Sequence, residues 1–230
     1  LMTVDFVCHG VPPAQLFADY ISLLEKKLRG VITGFDFRDK SRGWELNGKV
    51  YYRLKSGRQK SARIPRKTSS YYNLFLESAV LRENCYRCKY ACANRPGDLT
   101  LGDFWGIRKT HPEFLRGHGG ELSDEKGISC VIANTPKGIR ALEQLHDRLL
   151  LCESSFEKAA QHNPQLHSPS VRSPQRSEVL EQYRSGGYRA LEERFVRHLG
   201  YKIHLLNLFE KLPPGLQTKI KSTLLGSGAT

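Results

Sequence analysis

The apolar pattern predicts an α/β (or α+β) fold: a mixed sheet with flanking helices, an inserted hairpin and a peripheral C-terminal helical tail. Three observations carry that prediction. Short β-type runs and one long helical pattern alternate early in the chain, as expected of strands crossing over through a helix. Two further strand-like runs flank the turn Ser56-Gly57-Arg58 and read as a hairpin. Beyond residue 170 the strand pattern stops, and the remaining sequence is basic and helical in periodicity.

Residues 2–7, Met-Thr-Val-Asp-Phe-Val, read as a buried-type strand. The turn Cys8-His9-Gly10-Val11-Pro12-Pro13 follows and opens a helix over residues 14–28, with Leu16, Tyr20, Leu23, Leu24 and Leu28 on its apolar face. Strands are expected at 31–37, 49–54 and 59–64, and a helix at 69–79 leading into three closely spaced cysteines. A short strand from Leu99 ends in the glycine-punctuated turn Gly102-Asp103-Phe104-Trp105-Gly106. Residues 117–126 read as loop and 127–134 as strand, after which Pro136 starts a helix running to Leu151. Beyond Phe156, Pro164, Pro169 and Pro174 mark a meandering linker, and a last helical region covers 177–209 with a break at Ser185-Gly186-Gly187. Pro213-Pro214-Gly215 breaks it again, and residues 225–230 read as a frayed end. This organisation gives one domain over residues 1–170 and a basic helical tail over 171–230. The abrupt first strand, without a lead-in, reads as the interior of a longer protein whose upstream half is missing.

The chain has 230 residues, 39% of them hydrophobic, enough for a packed core and too many for a disordered chain. Its 36 Lys and Arg against 23 Asp and Glu give a net charge of +13, which favours phosphate-bearing, acidic or nucleic-acid partners. No apolar run approaches the length of a spanning helix and no secretory signal opens the chain, so a cytoplasmic protein without a transmembrane segment is expected. No Gly-x-Gly-x-x-Gly or Walker sequence is present.

Of the six cysteines, Cys130 and Cys152 sit in apolar surroundings and read as buried. Cys85, Cys88 and Cys92 place three soft thiolates within reach of one ion or cluster, and Cys8 brings the set to four. The residues alone leave open an iron-sulfur cluster, a structural zinc, and a redox or merely buried thiol group. The spacing is not that of the bacterial ferredoxin run. Between residues 49 and 67 eight Lys or Arg occur without an acid; they read either as a solvated sheet face or, joined by Arg38, Lys40 and Arg42, as a phosphate cradle. Leu191, Phe195, Leu199, Leu205, Leu206 and Phe209 form an apolar stripe in the basic tail, for packing against the body, a partner or a membrane surface.

Several motifs then occur in a fixed order: Phe6-Val7-Cys8-His9-Gly10-Val11-Pro12; Phe37-Arg38-Asp39-Lys40-Ser41-x-Gly43-Trp44; Cys85-x2-Cys88; Asp98-Leu99-Thr100-Leu101-Gly102-Asp103-Phe104-Trp105-Gly106; and His111-Pro112-Glu113. This set resembles the C-terminal domain of the coenzyme F420 hydrogenase/dehydrogenase beta-subunit family over residues 1–170. The resemblance implies an iron-sulfur flavoprotein oxidoreductase, or an electron-transfer subunit of one, that passes electrons between a [4Fe-4S] cluster and FAD, a deazaflavin such as coenzyme F420, or an organic substrate. It implies Cys8, Cys85 and Cys88 as cluster ligands. The fourth is either Cys92 or a cysteine of an upstream Gly-x-Pro-Cys element not found here. Asp98, Asp103, Phe104 and Trp105 become candidates for the flavin site, with core packing and turn capping as the alternative for each. The expected partners are a redox protein or an upstream ferredoxin-like domain and a small-molecule electron acceptor. No acid or base catalyst is assigned, because neither His9 nor His111 has an evident carboxylate partner in the sequence. Two other readings compete: a zinc-stabilised nucleic-acid-binding module, disfavoured because no base-reading element is recognisable, and a non-catalytic scaffold.

Overall fold

The computed structural model describes residues 1–225 and is α/β in class, with one mixed and one antiparallel sheet among flanking helices. Of the frayed end read at residues 225–230, Leu225 instead closes the last helix, and residues 226–230 lie outside the described residues. The chain packs as two compact units, each built from two stretches of sequence: Leu1–Val11 with Leu81–Ser173, and Pro12–Val80 with Pro174–Thr230.

The first unit holds the mixed sheet. Strand β1 (Val4–Phe6) runs parallel to β5 (Leu99–Asp103), which pairs antiparallel with β6 (Ser129–Ala133). Leu99, Cys130, Ile107, Phe104 and Leu166 form its buried interior. β1 is an edge strand, and Val4 and Phe6 are exposed, so the buried strand expected at residues 2–7 is shorter and more open than its apolar composition implies. Helix α3 spans Ile107–Thr110 and α4 spans Pro136–Glu143. The Thr135 side chain caps α4 at the Gly138 amide, 3.2 Å away, and Pro136 stands at its first turn as its sequence position predicts.

Two expectations in this unit are corrected. The helix predicted to Leu151 stops at Glu143, and Leu149, Leu150, Leu151 and Cys152 are exposed, so Cys152 is not a buried thiol. Apolar runs of that length do not distinguish a helix end from a surface loop. The linker expected beyond Phe156 is instead packed: α5 (Phe156–Ala160) buries Ala159 and Ala160, and Asn163, Leu166 and Ser170 are buried after it. Pro164 opens a 3-10 turn over Pro164–Leu166 that buries Leu166.

The second unit holds the antiparallel meander β2 (Gly30–Asp36), β3 (Gly48–Leu54) and β4 (Gln59–Ile64). The predicted hairpin is present, with Gly57 at φ 82° and its amide donating to the Leu54 carbonyl at 2.9 Å. Helix α1 (Ala14–Leu28) buries Leu16, Tyr20 and Leu24 against the inward residues Val50 and Tyr52 and against α2 (Ser70–Leu76). The tail consists of α6 (Arg176–Leu199), α7 (Lys202–Lys211) and α8 (Pro214–Leu225). Val179, Tyr188 and Leu191 of α6 join the same core, and Gly187, at φ 61°, kinks the helix where the sequence predicts a break.

Candidate functional site

The cysteine region of the first unit begins where β1 ends. The Val7 amide donates to the Leu101 carbonyl at 2.8 Å, carrying the β1–β5 alignment one residue past the strand to the edge of Cys8. The following turn meets the cysteine cluster directly. The Val11 amide donates to Cys85 Sγ at 3.3 Å, and the Arg82 amide donates to the Val11 carbonyl at 2.8 Å. Gly10 sits at φ 140°, and a β-carbon there would lie 2.6 Å from Cδ1 of the fully buried Leu81. Gly10→Ala is therefore expected to cost roughly 1–3 kcal/mol through backbone strain and overpacking. A urea midpoint equal to wild type would refute this.

Cys85 lies in a 3-10 turn over Glu83–Arg87, and Cys88 follows as its cap. A strap from the end of the unit ties the same two turns together. Ser170 Oγ donates to the His9 carbonyl, and Arg172 pairs with Glu83 while its guanidinium lies 4.9 Å from the centre of the Tyr86 ring. Cys8 is exposed and Cys85, Cys88 and Cys92 are half-buried. Cys92 turns back on its own loop, its thiol donating to the carbonyls of Lys89 at 3.4 Å and Asn94 at 3.1 Å. Among the described residues no group of three or more His, Cys, Asp or Glu is gathered at metal-binding geometry. The backbone thus brings the Cys8 and Cys85 turns together, the Cys85 thiol engaging Val11 across them while the Cys92 thiol engages its own loop. As a donor set, cysteine sulfurs suit a thiophilic metal, zinc and an iron-sulfur centre alike.

The loop after Cys92 is fixed by Arg95, which the sequence does not single out. Its side chain is 3% exposed. Nη2 meets Asp5 Oδ1 at 2.7 Å and the Phe6 carbonyl at 2.8 Å, and a further bond goes to the Tyr90 carbonyl. The Gly97 amide donates to the other Asp5 oxygen at 2.9 Å. Burial alone would raise the Asp5 carboxyl, but the Arg95 and Gly97 hydrogen bonds outweigh it and hold the group below its ordinary range. The signal available in sequence was an Asp three residues before Cys8 and an Arg three after Cys92.

Asp98 is occupied by structural contacts. Its carboxylate accepts from the Thr3 amide at 2.8 Å, the Thr3 hydroxyl at 2.9 Å and the Thr135 hydroxyl at 2.8 Å, with Lys137 at 3.3 Å. These bonds, the Thr3 amide foremost, hold it well below the usual carboxylate range. Phe104 is buried and meets the His111 ring edge-on at 5.8 Å, which is the packing alternative for this residue. Asp103 and Trp105 are half-buried on either side of it. Gly106, at φ 80°, lets the His162 ring approach to where a β-carbon would stand, 2.0 Å from its Cδ2.

His111 has the carboxylate partner that the sequence reading did not find. Its Nδ1 bonds Glu113 Oε1 at 2.8 Å and its Nε2 bonds the Ser154 hydroxyl at 2.7 Å, with the ring stacked on Phe114 at 4.2 Å. The pair was legible as His111-Pro112-Glu113. Ser154, 43 positions from His111, was not.

Arg38 and Lys40 belong to the second unit, half-buried in the loop after β2. Of the basic residues near them, Arg63 pairs with Glu210 and Glu45, and Lys49 lies 5.2 Å from the centre of the Tyr51 ring.

Residues 1–159 match the family model that describes the C terminus of the coenzyme F420 hydrogenase/dehydrogenase beta subunit. The chain belongs to this family. The beta-subunit match indicates redox function within an oxidoreductase of the F420 hydrogenase/dehydrogenase kind. No curated protein and no solved structure matches the chain. Among the described residues of this beta-subunit homologue, no helix is long and apolar enough to cross a membrane.

Proposed function

We propose that this beta-subunit domain is the redox part of an iron-sulfur flavoprotein oxidoreductase, with Cys8, Cys85 and Cys88 as ligands of a [4Fe-4S] cluster. The observation that carries the reading is the junction of the Val11 turn with Cys85, residues 74 positions apart. It sets two cysteine turns side by side. The self-directed Cys92 thiol supports a fourth ligand from outside residues 1–230, as the family resemblance implies.

Such a cluster would supply single electrons, and a bound FAD would exchange one or two with coenzyme F420 or another organic acceptor. The chain's own work is positional. Arg82 and the 170–172 strap hold the two turns together, and the Arg95–Asp5 pair fixes the loop beyond Cys92. Trp105 and Asp103 are the residues of the aromatic turn with surface left for a flavin.

The test is an anaerobic visible spectrum of the full-length protein before and after dithionite, with iron, sulfide and zinc measured on the same sample. Broad cluster absorption and flavin bands that bleach together are expected. A colourless protein made under iron-replete conditions, or stoichiometric zinc in place of iron, would sink the proposal.

A further inference from the structure

The family match ends at residue 159, and the tail that follows carries a feature unrelated to the cysteine site. On α7, Ile203 faces inward, while Leu205 and Leu208 are 58% and 62% exposed and Tyr201, at the helix N-cap, is 72% exposed. These three positions are spaced i, i+4, i+7, so they form one continuous stripe on a helix rather than scattered surface residues. Val196, near the end of α6, is also exposed.

The charge beside the stripe is of one sign. Between residues 194 and 209 the sequence contains Arg194, Arg197 and Lys202 and no Asp or Glu, and Lys211 closes the helix. Arg194 is paired with Glu178 in α6. The nearest acid beyond the stripe, Glu210, is held by Arg63. Arg197, Lys202 and Lys211 are exposed. The helix end is also firmly built: Gln217 Nε2 donates to the carbonyls of Phe209 at 3.0 Å and Leu212 at 2.9 Å, so the stripe ends at a capped corner.

We propose that α7 is an interfacial helix that docks the protein on an anionic lipid surface, inserting Tyr201, Leu205 and Leu208 while Arg197, Lys202 and Lys211 meet the headgroups. An apolar stripe with an aromatic residue at one end, basic residues beside it and no acid between residues 194 and 209 is the composition that such binding needs. The net charge of +13 acts in the same direction at longer range.

The test is flotation of the full 230-residue chain with vesicles of phosphatidylcholine, with and without about one third phosphatidylglycerol. Binding is expected only to the anionic vesicles, weakening as salt rises. Leu205→Glu/Leu208→Glu should abolish flotation. Lys202→Gln/Lys211→Gln should weaken it about fivefold for each residue changed. Circular dichroism of each variant separates these losses from unfolding, since both leucines point to solvent. Absence of flotation in the wild type would overturn the proposal, as would unchanged flotation of the leucine variant. Concentration-dependent self-association that the leucine variant removes, without vesicle binding, would assign the stripe to a second copy instead.

Discussion

A Cys85→Ala protein should purify without bound iron and without visible absorption, whereas Cys92→Ala should keep both. Cys85 is the thiol that the second turn offers to the Val11 turn, and its sulfur already accepts an amide hydrogen bond at 3.3 Å. Removing it would take away one of the proposed ligands and also the contact that joins the turns. Cys8→Ala and Cys88→Ala should behave likewise, each leaving too few thiolates for a four-iron centre. Cys92 spends its thiol on its own loop, so its loss should disturb only that loop. Iron and sulfide analysis of the four variants, prepared anaerobically, checks the pattern. Iron lost from Cys92→Ala to the same extent as from Cys85→Ala would move the fourth ligand inside this chain.

The second large effect concerns stability. Arg95→Ala should cost about 3–5 kcal/mol, the range found when one member of a buried ion pair is removed and its partner is left behind. Asp5 would lose both bonds to the guanidinium, and the carbonyls of Phe6 and Tyr90 would lose their donors. The pH dependence has a definite sign. The Asp5 carboxyl lies below its unfolded value, so its contribution is fully present above the unfolded value near pH 4 and is lost as pH falls through the folded one. The stability gap between wild type and Asp5→Asn, measured by urea unfolding, should therefore shrink on going from pH 7 to about pH 3. A gap that stays constant would remove the ion pair from the explanation.

How far the sequence discloses this molecule depends on whether the governing contact is local. Helix α1 is legible because five apolar residues repeat at helical spacing, and the β3–β4 hairpin because Ser56-Gly57 separates two strand-like runs. The cysteine turns were legible as motifs, but their junction was not, because it joins Val11 to Cys85 across 74 positions. Leu149, Leu150 and Leu151 misled for the opposite reason: an apolar run suggests burial, yet all three residues stand exposed. Arg95 escaped notice because a lone arginine in a basic chain carries no periodic signal. The discontinuous make-up of the two units is also invisible to a linear reading, since the chain leaves the first unit at Val11 and returns at Leu81.

That departure and return set a timetable. The hydrogen bond from Arg82 to Val11 closes the excursion at its base, so the Cys8 turn has no Cys85 beside it until the intervening residues have been made. At translation rates of about 5–20 residues per second, Cys8 waits roughly 4–15 seconds for that neighbour. Throughout that interval Cys8 has neither Cys85 nor Cys88 beside it. A cluster held as proposed by Cys8, Cys85 and Cys88 could therefore be completed only after residues 12–80 have been made and the Arg82–Val11 bond has closed the excursion.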